Sequence, residues 1–501
     1  MTPTSAAPKP ESPGAGVFPS IRDLIDPVAP FLIPLVLLVV ARIVTAIQVG
    51  NGTEDAYITY RYAQHLALGG GLTYNPGERV MGFSSPLWAM WNALGFFIAH
   101  QPLLWSRATS LVADAVTLLV MGALLERHAS RRSAWCFTFF FALWPYFPAV
   151  AMSGLETSVM LALIALSAAL AAARSWTAGL ALAALALTRP EGLVAALVLG
   201  LGATARARLV GIGLVAAGLG ALAAYFGTIV PQSVIAKALT YGTPGPLAGR
   251  AWWEWLLPFP LGRWPELSDL VMMVPLSAIL APAVVVGARA LWRERSTPLA
   301  RAAAAMLVVW LGYALLGVTY FWWYLAVPLA GFAAVAAVGF PRIAKGAGLY
   351  VSVALLVIGV WSVARYLYIG RARQESSILL TAAELLRAQA QPGDKAMLEP
   401  IGMIGYVAPV IVIDEVGLVS PRVARRRRAG AGWYADIVTS ERPEWLVVRY
   451  GTYRSGAAFA GVGAPFRGVA ERDALFARYR PVAGGEAGSS DQALVILRRS
   501  D

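Results

Sequence analysis

The chain of 501 residues is short of the groups from which most soluble proteins draw their chemistry. It holds one cysteine, Cys136, inside an apolar run. No internal disulfide and no thiolate cluster can form, so the redox compartment is not legible from it. Three histidines, His65, His100 and His128, are too few and too scattered for a zinc site. Charged residues make up only 14% of the chain, against about a quarter in an ordinary soluble domain. That scarcity excludes a soluble globular protein. The sequence is 58% apolar, with a mean hydropathy of +0.62. Its apolar residues fall into successive runs of about 20, the length that crosses a bilayer. The pattern is that of a polytopic α-helical membrane protein.

The formal charge of +13 would suggest nucleic acid for a soluble chain. Here the basic residues gather in short loops between apolar runs, where they set topology, so the expected partner is the bilayer and no nucleic acid. Residues 1–29, rich in Pro, Ala and Ser, read as a disordered cytoplasmic tail and not a cleaved signal. About eleven spans are expected, at 30–49, 104–125, 133–151, 155–173, 175–188, 191–204, 209–229, 270–290, 302–320, 323–340 and 347–368. Arg127 to Arg132, Arg174, Arg206 with Arg208, Arg289 to Arg301, and Arg342 with Lys345 then share one side. This places the 50–103 loop and the C-terminus on the outer face. Pro86–Ala99 is short for a crossing and suits an interfacial helix. The transmembrane domain is expected over 30–370. A soluble α/β domain follows over 371–501, with a helix at 374–391 and strands at Val410–Ile413, Trp445–Val448 and Ala493–Leu497.

Acids, bases and aromatics first crowd together between Thr53 and Trp88. Glu54 and Asp55 stand at what reads as the start of an amphipathic helix. At about 100° per residue, Asp55, Thr59 and Tyr62 share one face; Glu54, Ile58, Arg61 and His65 share the adjoining one. Acids at a helix start are also stabilised by unpaired amides and the dipole, a structural role that leaves the rest of the loop unexplained. Gly69-Gly-Gly71 and Asn75-Pro-Gly77 force turns, and Glu78-Arg79 follow. Tyr57, Tyr60, Tyr62, Tyr74, Phe83 and Trp88 suit a sugar ring at the interface or an ordinary aromatic belt. Arg107, Glu156, Arg189 and Glu191 are ionisable residues in or beside spans, where charge is costly; they are functional candidates, with mutual ion pairing as the alternative. Lys237, just beyond a span end, is either a phosphate binder or a snorkelling lysine. Trp322 and Tyr324 read as interface anchors or substrate contacts, and Arg425–Arg428 as a solvated charge run.

The run Asp55-Ala-Tyr-Ile-Thr-Tyr-Arg-Tyr-Ala63, with Gly71-Leu-Thr-Tyr-Asn-Pro-Gly-Glu-Arg-Val80 and Gly82-Phe-Ser-Ser-Pro-Leu-Trp88, resembles the first extracytoplasmic loop of GT-C glycosyltransferases. Within them it is most similar to the terminal β-(1→2)-arabinofuranosyltransferases of the cell wall and their bacterial relatives. Ser153-Gly-Leu-Glu-Thr157, Leu187-Thr-Arg-Pro-Glu-Gly192, Pro231-Gln-Ser-Val-Ile-Ala-Lys237, Gly393-Asp394 and Ile413-Asp-Glu-Val-Gly-Leu418 match more loosely. The resemblance implies a GT-C fold in a bacterial inner membrane and a sugar taken from a polyprenyl-phosphate donor. The acceptor would be a cell-envelope glycan or glycolipid on the outer side. It makes Asp55 the catalytic carboxylate, with Glu54 where the family often has a second Asp. Glycosyl transfer needs a carboxylate for the acceptor hydroxyl and cations for the departing phosphate. Tyr57, Arg61, Tyr62, Arg79, Arg107, Glu156, Arg189, Glu191, Lys237, Trp322 and Tyr324 are the expected substrate-binding set. A divalent cation at Glu54-Asp55 stays open, since two neighbouring acids do not establish a site. Two alternatives remain. One is transfer of a hexose or aminoarabinose to lipid A, protein or polysaccharide. The other is transport of a lipid-linked sugar, which would gather charges near the bilayer midplane.

Overall fold

The computed structural model describes residues 29–241, 281–316, 318, 321–344, 346, 370–454, 463–484, 486 and 493–500. The expected tail up to residue 28, the span at 347–368, most of that at 270–290 and the Pro/Trp-rich segment after Tyr241 lie outside the described residues. Among the described residues, five helices are long and apolar enough to cross a membrane: Ala29–Val49, Pro102–His128, Ala205–Phe226, Pro298–Leu316 and Trp322–Ile343. Thr157–Ala172, Ala178–Thr188, Pro190–Gly200 and Pro86–Ala99 are shorter apolar helices. Leu38, Leu118, Phe137, Ile164, Leu185 and Met306 belong to one buried apolar core that joins the long helices to the short ones. Leu209, Ile212 and Leu214 on Ala205–Phe226 are exposed, as side chains that meet lipid must be.

One expected span is altered by proline. The run 133–151 is not one helix: Arg131–Leu143 ends, and Tyr146–Ala151 starts again after Trp144 and Pro145. The residue before a proline is pushed out of the α region, and Trp144 accordingly takes φ −64°, ψ 120°. Arg189 before Pro190 does the same at φ −154°, ψ 153°, dividing Ala178–Thr188 from Pro190–Gly200. These two helices have 11 residues each, roughly 16 Å of rise and about half the hydrocarbon thickness. Packed side by side, they fall within the expected stretches 175–188 and 191–204 but for Pro190, and stand among the shorter apolar helices. Broken helix at membrane depth is tolerated where it is buried in protein or lines a cavity. Arg189, at this break, does both.

Within the bundle Arg42 is wholly buried and paired with Asp114. Its Nε and one Nη donate to Asp114 Oδ2 at 2.9 and 2.8 Å. The carbonyls of Ala142, at 2.6 Å, and Phe141, at 3.1 Å, take the remaining bonds.

After the Gly370–Gln389 helix comes a five-stranded sheet of order β2-β1-β3-β5-β4. β1 (Lys395–Leu398), β2 (Ile411–Asp414) and β3 (Trp445–Arg449) run parallel. β5 (Leu494–Arg499) is antiparallel to β3 and to β4 (Tyr479–Ala483). Met397, Ile413, Leu446 and Val495 face one core, and Leu398, Val412, Val447 and Ile496 the other. The parallel strands are thus covered on both faces, which is why they read as near-continuous apolar runs. The second core also takes in Tyr60, Tyr62 and Tyr74 of the loop near the N-terminus, so sheet and loop pack as one body.

Candidate active site

The Glu54–Ala67 helix sets the site. Thr53 precedes it in extended conformation, and both acids fall in its first turn. Glu54 turns toward the sheet and accepts the backbone N–H of Gly402. A Cβ at Gly402 would overlap Glu54, and one at Gly405 would overlap the Tyr74 hydroxyl, so glycine is what permits this close approach. Burial, and then the charge of Asp55, push the Glu54 carboxyl well up, against the opposing Gly402 bond. Asp55 lines a cavity that Glu54 also lines and a cleft that it shares with Glu156 and Lys237.

A separate space of about 550 Å³, which Asp55 does not line, is an apolar groove whose walls include Val194, Val308, Val309 and Leu316. Its head is polar: Arg189, Glu191, Lys237, Tyr313 and Tyr324. Arg189 is paired with Glu156, Nη1 to Oε1 at 2.6 Å, and with Glu191 through Nε. The Tyr313 hydroxyl donates to Glu191 at 2.6 Å. Lys237 Nζ stands 3.4 Å from the Tyr324 hydroxyl and 4.5 Å from the Phe321 ring centre. A cleft of about 60 Å³ runs from this head to Asp55 past Ser84, Ser85 and Ser233. The Ser233 hydroxyl is buried without a hydrogen-bond partner.

On the other side of Asp55 lies a cavity of about 370 Å³, walled by Glu54, Trp322, Trp323, Glu375, Glu399 and Arg449 among others. Glu399 is 39% exposed to it through its side chain. Burial of the rest of the group raises its pKa, with Arg449 opposing and Asp55 and Glu375 adding. At the end of β2, Glu415 has one carboxylate oxygen buried without a hydrogen-bond partner. Burial and the nearby Glu399 push Glu415 up to about 8.

The structure brings together Asp55, Glu54, Glu156, Arg189, Glu191, Lys237, Trp322 and Tyr324. Five expected substrate contacts lie outside these three spaces. Arg61 is buried, and its nitrogens donate to the carbonyls of Tyr74 and Val410, each at 2.7 Å, and of Gly405; it clamps the loop to the sheet. Tyr57 donates to Asn51 O and Tyr62 to Val80 O, each closing its own loop. Arg79 is exposed, stacked over Tyr225. Arg107 gives Nε to Met152 O and lines none of these three cavities. Sequence reasoning missed Tyr313, Ser233, Glu375, Glu399 and Arg449. The signal for the last two is their place at the carboxyl ends of parallel strands, where open α/β sheets hold ligands. Among the described residues no group of three or more His, Cys, Asp and Glu is placed to hold a metal.

A broken-helix bundle joined to a mixed sheet is similar in fold to known structures. Two solved structures carry this likeness. ArnT from Cupriavidus metallidurans bound to undecaprenyl phosphate matches with a TM-score of 0.62 at 11% identity, over 94% of this chain and 98% of that one. The Archaeoglobus fulgidus oligosaccharyltransferase tethered with an acceptor peptide matches with 0.55 at 13% identity, over 89% and 72%. At such identities the likeness is one of fold. Residues 366–492 match a family described as a domain of unknown function (DUF8728). No curated protein sequence matches the chain.

Proposed function

We propose that this protein is a membrane glycosyltransferase that moves a sugar from a polyprenyl-phosphate donor to an acceptor hydroxyl of a cell-envelope glycan or glycolipid. The observation that carries the reading is the position of Asp55, in a cavity rich in carboxylates and joined by a cleft to Arg189 and Lys237 at the head of an apolar-walled groove. The polyprenyl chain lies along Val194, Val308 and Leu316, and Lys237 and Arg189 meet its phosphate. Asp55 accepts the proton of the acceptor hydroxyl as the glycosidic bond forms, and the two cations stabilise the phosphate that leaves. Glu156 and Glu191 keep Arg189 oriented for that role. The site works from the outer side of a bacterial inner membrane, as the charge pattern of the loops implies. ArnT is bound to undecaprenyl phosphate in the neighbouring structure, which supports a donor of this kind. The loop motif favours arabinofuranose as the sugar.

A panel of labelled polyprenyl-phosphate sugars, presented to the reconstituted protein beside its Asp55→Asn variant, tests the proposal. Turnover of one donor, lost in the variant, supports it and names the sugar. Movement of lipid-linked sugar across the bilayer without transfer would replace it with transport.

A further inference from the structure

The cavity of about 370 Å³ beside Asp55 differs in build from the apolar groove. Its walls come from three distant parts of the chain: the start of the Glu54–Ala67 helix, the Trp322-Trp323 pair, and the C-terminal region through Glu375, Glu399 and Arg449. Glu399 follows β1 directly and Arg449 ends β3. Adjacent parallel strands therefore deliver both residues at their carboxyl ends, the edge at which open α/β sheets place ligand-binding groups. Arg449 reaches Glu399 at 3.5 Å, and the two side chains stay partly open, 27% and 39% exposed. A wholly structural pair would close; this one faces a space.

The volume falls within the range of small-ligand sites, roughly 300–1,000 Å³. Indole faces suit the C–H face of a sugar ring. Carboxylates accept hydrogen bonds from hydroxyls, and a guanidinium donates to ring and hydroxyl oxygens. The charge balance leans negative: Glu54, whose carboxyl favours its proton, and the acids Asp55, Glu375 and Glu399 stand against Arg449 alone among the residues lining this cavity. A phosphate or carboxylate entering it would meet like charge in a partly desolvated space, where repulsion is poorly screened. Hydroxyl groups meet no such barrier.

Resting on the reading of Asp55 as the transfer carboxylate, we infer that the C-terminal region selects the acceptor through Glu375, Glu399 and Arg449. The acceptor presents in this cavity a saccharide unit that carries no negative charge. The sheet is then half of the specificity site, set over the bundle that holds the lipid donor.

Saturation-transfer NMR on the full-length protein in detergent micelles tests this, with methyl β-D-glucopyranoside and methyl β-D-glucuronide as probes. Wild type should bind the glucoside, with the glucuronide at least roughly tenfold weaker, as a repulsion of this size implies. The double variant Glu375→Gln/Glu399→Gln should bind the glucuronide better than wild type does, a gain that a folding defect does not produce. Trp322→Ala should weaken both probes. Equal binding of the two probes to wild type, an unchanged ratio in the double variant, or binding of neither probe would each overturn the inference. The underlying reading fails separately, through undecaprenyl phosphate that does not bind the groove or an Asp55→Asn variant that turns over undiminished.

Discussion

Arg42 and Arg189 are both buried guanidiniums paired with carboxylates inside the helical bundle, and they differ in what surrounds the pair. Arg42 is enclosed: Asp114 and two carbonyls take four of its five N–H donors, and its side chain is 0% exposed. Arg189 has two acids, Glu156 and Glu191, yet also lines the groove and the cleft that leads to Asp55. The first pair fastens two long helices, Leu32–Val49 and Pro102–His128. The second occupies a helix break, where regular packing has been given up for access. A buried ion pair is therefore not a functional sign by itself. The neighbouring space decides, and it separates a fastening from a site.

The largest expected effect breaks the fastening. Asp114→Ala leaves Arg42 buried and uncompensated, a loss of roughly 3–5 kcal/mol. Thermal unfolding of the solubilised protein should show it directly. If the variant unfolds with wild type, Arg42 is reaching solvent and the contrast with Arg189 collapses. A smaller effect sharpens the other side. Lys237→Ala should weaken undecaprenyl phosphate roughly ten- to a hundredfold, the worth of one charge-assisted bond of about 1.5–3 kcal/mol. Its unfolding temperature should stay near wild type. Undiminished binding would remove Lys237 from the groove head.

The smallest effect concerns a buried acid outside the bundle. Glu415 is raised from 4.5 to about 8, so the folded state holds its proton where the unfolded chain has released it. Its stabilising contribution is complete below about pH 4.5 and declines as pH rises to about 8, because the folded state binds more protons across that window. Glu415→Gln should flatten this decline. Glu415 is half-buried, which keeps the change on the order of 1 kcal/mol. An unaltered slope of stability against pH would show Glu415 to be ionised throughout.

Much of the site was legible because its residues sit in short-range patterns. Glu54-Asp55 opens a helix, Arg189-Pro-Glu191 marks a break, and Lys237 follows a span. Charge that apolar context makes costly stands out in each. Arg42 and Asp114 carry the same cost but lie singly within long apolar runs, 72 positions apart, and nothing local joins them. Arg61 shows the opposite error. Its position in the loop motif suggested substrate, whereas its partners, the carbonyls of Gly405 and Val410, lie 344 and 349 residues away. Glu399 and Arg449 were hidden for a related reason: their meaning depends on which strands pair and in what direction. Proline acted where an apolar count did not see it, at Pro145, turning one expected span into two pieces.

The central claim is that Asp55 acts on the acceptor while other residues hold the donor lipid. The measurement that tests it most directly compares Asp55→Asn with wild type in two readouts on the same reconstituted sample: affinity for undecaprenyl phosphate, and transfer of labelled sugar. The account predicts unchanged affinity and a loss of transfer of about 10²–10⁴-fold, the usual share of a general base. Transfer at the wild-type rate, or a loss of transfer that merely follows a loss of lipid binding, would contradict it.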